Sequence, residues 1–157
     1  MKHETEASNR PSAGDSGKQL LASRDAKKRG EMAEMAFMYK ACGLGFGVAK
    51  PYGDSERYDF IVSSGKRFWR VQVKSTYLPR RTGYRVIAEG SRLRRNTVYT
   101  PEEIDFLVAY LVPVDAWYVV PVEALETKAL FLYPEGCRFG GRYEKYREAW
   151  HLLMEKP

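Results

Sequence analysis

The chain has little of what soft-metal chemistry needs: of its 157 residues only Cys42 and Cys137 are cysteine, and only His3 and His151 are histidine. None of these shows metal-ligand spacing. A cysteine/histidine zinc site and a disulfide framework are therefore both excluded, and the cysteines read as reduced thiols. His3 stands in a tail. His151 sits in a predicted helix whose stripe, Tyr143, Tyr146, Trp150 and Leu153, reads as a packing surface. No apolar run approaches a bilayer's thickness, and Lys2-His3 introduces no apolar stretch of a secretory leader, so the expectation is a soluble, cytoplasmic protein without membrane contact. Internal repeats are absent. Met1 to Lys18 has almost nothing apolar and is rich in Ser, Gly, Glu and Lys, which predicts a disordered tail over residues 1–22. The remainder, residues 23–157, belongs to a chain that is 44% hydrophobic, enough for one domain with a real core.

Within that domain the richest pattern is a hairpin. Tyr58 to Val62 reads as a short strand, Ser63-Ser64-Gly65-Lys66 as its turn, and Arg67 to Ser75 as the returning strand. Side chains alternate along a strand, so Trp69, Val71 and Val73 point to the core while Arg70, Gln72 and Lys74 point the other way. A four-residue turn places Val62 opposite Arg67 and Asp59 opposite Arg70, which leaves Asp59 on the Gln72 and Lys74 side. Taken alone, this is also what a solvated polar face with an ion pair looks like.

A group upstream changes the weighting. Ala26 to Cys42 reads as a helix with Ser23 or Asp25 as N-cap and Gly43 as stop. Ala33, Phe37, Met38 and Ala41 form its apolar stripe, and Glu34 interrupts that stripe, whereas Glu31 lies at its edge. An ionised carboxylate on a buried face needs a cation, a metal or hydrogen-bond donors, so Glu34 is a candidate site residue. An ion pair with Arg29 or Lys27 is the structural alternative.

The ordered set Gly30-Glu31-Met32-Ala33-Glu34, Arg57-Tyr58-Asp59 and Val71-Gln72-Val73-Lys74-Ser75 resembles the PD-(D/E)XK nuclease superfamily, and within it the group I intron-associated (homing) endonucleases. Tyr99 to Phe106 and Trp117 to Pro121 resemble further stretches of the same family. The resemblance implies a restriction-endonuclease-like core and Mg²⁺-dependent hydrolysis of DNA phosphodiester bonds, with Mn²⁺ as a substitute ion. It implies catalytic roles for Glu34, Asp59, Gln72 and Lys74. Mg²⁺ prefers oxygen ligands and is typically held by one or two carboxylates plus substrate phosphate, so Asp59 is its expected direct ligand, with Gln72 and Glu34 completing the site. Lys74 then orients or deprotonates the attacking water, or donates to developing charge. Gln72 occupies the place where the wider superfamily has a second acid; its carbonyl can ligate a hard cation but brings no charge. Glutamine at this place characterises the intron-associated group.

Charge distribution points to the same partner. The net charge is +6, and between Tyr77 and Val98 six arginines, Arg80, Arg81, Arg85, Arg92, Arg94 and Arg95, face a single acid, Glu89. Arginines interleaved with tyrosines suit contact with double-stranded DNA. Ile104 to Leu111 and Ala116 to Val120 read as buried strands, Leu130 to Tyr133 as another, and Arg142 to Met154 as a closing amphipathic helix. Asp105 reads as a hydrogen-bond acceptor at a strand start. The expected fold is mixed α/β, with a central mixed sheet flanked by helices. A site-specific homing nuclease acting as a dimer or tetramer is the leading functional expectation. A Holliday-junction-resolvase-like or repair nuclease, and an inactive DNA-binding module, are the alternatives.

Overall fold

The computed structural model describes residues 13–92, 95–136 and 141–154, with side chains described from residue 25 onward and not for residues 91, 92, 95 and 96. Helix α1 spans Ala13–Gly43, beginning well before the expected Ala26. Residues 13–22 of the expected tail thus fall within it, and residues 1–12 lie outside the described residues. Gly45, not Gly43, terminates α1. With φ 90 it lets the Phe46 amide reach back to the Ala41 carbonyl at 3.1 Å while its own amide meets Cys42 at 3.0 Å. This is the Schellman pattern, sealed by contact of buried Phe46 with the same core as Ala41.

The strands follow as β1 Gly47–Ala49, β2 Phe60–Ser64, β3 Arg67–Thr76, β4 Pro79–Arg80, β5 Gly83–Ile87, β6 Glu89–Arg92, β7 Arg95–Val98, β8 Phe106–Leu111, β9 Ala116–Pro121 and β10 Ala129–Leu132. The central sheet has the order β1-β2-β3-β8-β9, antiparallel throughout except where β3 runs parallel to β8. The crossover between β3 and β8 holds the hairpin β6-β7 and strands β4 and β5, which form a smaller sheet, β10-β5-β4, with the later strand β10. Of the basic segment, Arg80, Arg85, Arg92 and Arg95 stand in these short strands.

Both faces of the central sheet are covered. On one, Phe37 and Ala41 of α1 pack with Phe60, Val71, Val108 and Trp117. On the other, Leu107, Ala109 and Tyr118 meet Val86, Leu130 and Leu132 of the small sheet. Two-sided burial explains why β8 and β9 are apolar without alternation. At β3 the second face carries Gln72 and Lys74 beside Leu107 and Ala109. A polar notch is cut into a two-sided core.

Two expectations need correction. Among the described residues α1 is the only α-helix, so the sheet is flanked by one helix and, opposite, by the small sheet. The expected closing helix over Arg142 to Met154 is replaced by 3₁₀ turns at Glu144–Tyr146 and Trp150–Leu153. Between them Glu148 adopts φ 48, donates its amide to Trp117 O at 2.7 Å and accepts the Trp117 amide on its side-chain Oε1 at 3.0 Å. Open hydrogen-bonding groups of edge strand β9 claim the backbone that a helix would have used. The packing role survives, since Tyr143, Trp150 and Leu153 are buried. Among the described residues no helix is long and apolar enough to cross a membrane. Cys42 is a free, exposed thiol, and Cys137 lies outside the described residues.

Candidate active site

The β2-β3 turn is tighter than expected. Ser64 pairs with Arg67, Val62 with Trp69 and Phe60 with Val71, leaving Gly65 and Lys66 as a two-residue connection. Gly65 has φ 58 at the first central position, as a type II′ turn requires. Asp59 consequently lies across from Gln72 rather than Arg70. The shift is an even one, so the face on which Asp59, Gln72 and Lys74 meet is unchanged.

Asp59 is wired to β3. Its amide donates to Val71 O at 2.9 Å, while its Oδ2 accepts from the Val73 amide at 2.8 Å and from Gln72 Nε2 at 2.6 Å. Gln72 Nε2 also donates to Val73 O at 3.2 Å, so Gln72 Oε1 remains as its acceptor. Burial pushes the Asp59 carboxyl up from 3.8 to about 6; the Glu34 charge adds to this, and the Val73 and Gln72 bonds and Lys74 oppose it. Lys74 is held below its usual range by burial, with Asp59 pulling it back up and Arg57 pushing it further down. Carboxylate and amine are each made less willing to carry charge.

Glu34 reaches the same cleft from α1. Ala33, Phe37 and Ala41 are buried, Met38 is exposed, and Glu34 is 24% exposed on the flank of the stripe rather than its middle. Its partner is neither Arg29 nor Lys27 but Lys50, whose Nζ lies 2.5 Å from Glu34 Oε2 and 5.6 Å from the Phe60 ring. Glu31 pairs with Lys27 on the exposed surface. Asp105 is the acceptor expected of it, taking the Arg70 amide at 2.7 Å.

Glu34, Asp59, Gln72 and Lys74 line one cleft of about 630 Å³. Arg80 and Arg85 edge it, as does Arg29, whose guanidinium lies 5.6 Å from the Tyr77 ring while the Tyr77 hydroxyl donates to Arg29 O at 3.1 Å. Arg81 is exposed and does not line the cleft. Arg92 and Arg95 face each other across the β6-β7 hairpin, and Arg94 lies outside the described residues. The donors offered to the cleft are carboxylate and amide oxygens without sulfur or imidazole, which suits a hard divalent cation. Among the described residues no three Cys, His, Asp or Glu side chains gather into a cage.

A profile described as PD-(D/E)XK endonuclease matches residues 24–153. The chain belongs to this family. It is a PD-(D/E)XK endonuclease with a central mixed sheet, and it is similar to a solved bacterial homing endonuclease, I-Ssp6803I, at 32% identity and a TM-score of 0.72. That likeness covers 82% of this chain and 92% of the other. No functionally curated protein matches it.

Sequence reasoning passed over Arg29 as a lining residue of the endonuclease's cleft and Lys50 as the partner of Glu34. Arg29 was findable, being one helical turn before Ala33 on the face that carries Glu34. Lys50 carried no signal, because the short strand β1 that delivers it has no periodicity of its own.

Proposed function

We propose that the protein is a Mg²⁺-dependent endonuclease of homing type, cutting double-stranded DNA at a long specific sequence, with Mn²⁺ able to replace Mg²⁺. The convergence of Asp59, Gln72 and Lys74 with Glu34 in one arginine-edged cleft carries this reading. Asp59 and the Gln72 carbonyl hold the ion, and Glu34 adds negative potential directly or through water. When bound, the ion offsets charge building on the phosphate and lowers the pKa of water. Lys74 orients the attacking water or donates to the developing charge. Arg29, Arg80 and Arg85 hold the flanking phosphates, with Arg81, Arg92, Arg94 and Arg95 extending the contact.

A long target and a small chain call for a dimer or tetramer pairing two sites across the duplex. Met32, Met35 and Tyr39 form an exposed apolar stripe on α1 that suits such self-association. The domain over 23–157 does this work in the cytoplasm. The test is incubation of random duplex libraries and four-way junctions with Mg²⁺ or EDTA. Mg²⁺-dependent cleavage at one long sequence supports the reading; sequence-independent junction cleavage replaces it with a resolvase, and binding without cleavage with an inactive module.

A further inference from the structure

The segment from Tyr99 to Phe106 lies outside the proposed chemistry, yet it holds two arginines. Asp105 fixes Arg70, a tie that begins β8. Glu103 does something different. Itself pinned by the Thr100 amide at 3.1 Å, it grips Arg57 through Nε at 2.9 Å and Nη2 at 3.4 Å. The Arg57 guanidinium lies 4.9 Å from the Tyr99 ring centroid, and its side chain is only 10% exposed. Gly90 closes the remaining side, where a Cβ would stand 2.4 Å from Nη1. One buried positive charge is thereby fixed on three sides.

The Tyr99 ring seats a second cation, because Lys74 Nζ lies 5.7 Å from its centroid. Arg57, Lys74 and Tyr99 line a cavity of about 380 Å³ that shares Gln72 and Lys74 with the main cleft. Both side chains have several rotatable bonds, but Arg57 is tied to Glu103 and packed against Tyr99 and Gly90. Asp59 and Glu89 attract the Lys74 ammonium and Arg57 repels it. Two cations thus share the Tyr99 ring and one cavity, and the fixed one limits where the other can rest. We propose that Arg57 is a positioning residue for Lys74, holding the amine against Asp59 and facing the cleft.

This rests on the reading of Lys74 as catalytic. The test measures single-turnover cleavage and DNA affinity separately, on full-length protein, for Lys74→Ala, Arg57→Met, Arg57→Lys and Gly90→Ala, with melting temperatures as the control for folding. Misplacing a reacting group by about 1 Å costs about 100-fold in rate. Arg57→Met should therefore slow cleavage by about that factor with DNA Kd within about twofold, and Arg57→Lys should recover part of it. Gly90→Ala, which displaces the guanidinium without changing any charge, should slow cleavage too and carries the test if Arg57→Met fails to fold. An unchanged rate, or a Kd weakened by the same factor as the rate, overturns the proposal. Full activity in Lys74→Ala would instead overturn the reading of Lys74, a result distinguishable from either.

Discussion

Asp59 and Gln72 face each other across the β2-β3 hairpin, and the amide of one donates to Oδ2 of the other at 2.6 Å. The glutamine thus does what a second carboxylate cannot, since it supplies two hydrogens, one to Asp59 and one to Val73 O. In metal-free protein, Gln72→Glu would set two carboxylates in contact and remove both hydrogens, leaving Asp59 Oδ2 with the Val73 amide alone. Stability at neutral pH should fall by about 1–3 kcal/mol, and excess Mg²⁺ should restore it. Chemical denaturation with and without Mg²⁺ reads this; an unchanged metal-free stability would mean the contact is not formed.

The raised Asp59 pKa has a defined sign in stability. The native protein takes up this proton more readily than the unfolded chain, so between about 3.8 and about 6 the contribution of Asp59 falls as pH rises. In EDTA, Asp59→Asn should be the more stable protein at pH 7 by up to about 3 kcal/mol, an advantage that shrinks towards pH 4. Urea denaturation of both proteins across that window is the measurement. A gap that grows on acidification would reverse the assignment.

How much of this site was legible follows from period. Asp59, Gln72 and Lys74 were placed on one side by alternation alone, and an even register error left that placement intact. Glu34 was visible because a carboxylate beside Phe37 conflicts with helical periodicity. The register itself depended on Gly65, whose positive φ shortened the turn. The closing segment misled because Tyr143, Tyr146, Trp150 and Leu153 keep a spacing close to helical while Glu148 spends its backbone on Trp117. Arg57 and Lys50 meet their partners across 46 and 16 residues, so no local pattern announces them.

Lys50 stands as an internal counter-ion to Glu34, its ammonium held above its usual pKa chiefly by that hydrogen bond. It is 58% exposed, so Lys50→Met should change folding stability by less than about 1 kcal/mol. The same change frees Glu34 beside Asp59 and leaves the cleft more negative. Divalent-ion affinity, measured by calorimetry on protein without DNA, should tighten. Weaker ion binding in the variant would instead make Lys50 a support for Glu34 rather than its competitor.

Arg29, Arg80 and Arg85 reach the same cleft from different elements, α1, β4 and β5. If each meets a phosphate, each releases about one counterion on binding. Replacing all three with alanine should then flatten the plot of log affinity against log salt by about 3, and weaken binding equally on target and random duplex. Affinity titrations over a range of KCl concentrations decide the matter. A loss confined to the target sequence, with the slope intact, would make these arginines readers of base edges instead of holders of the backbone.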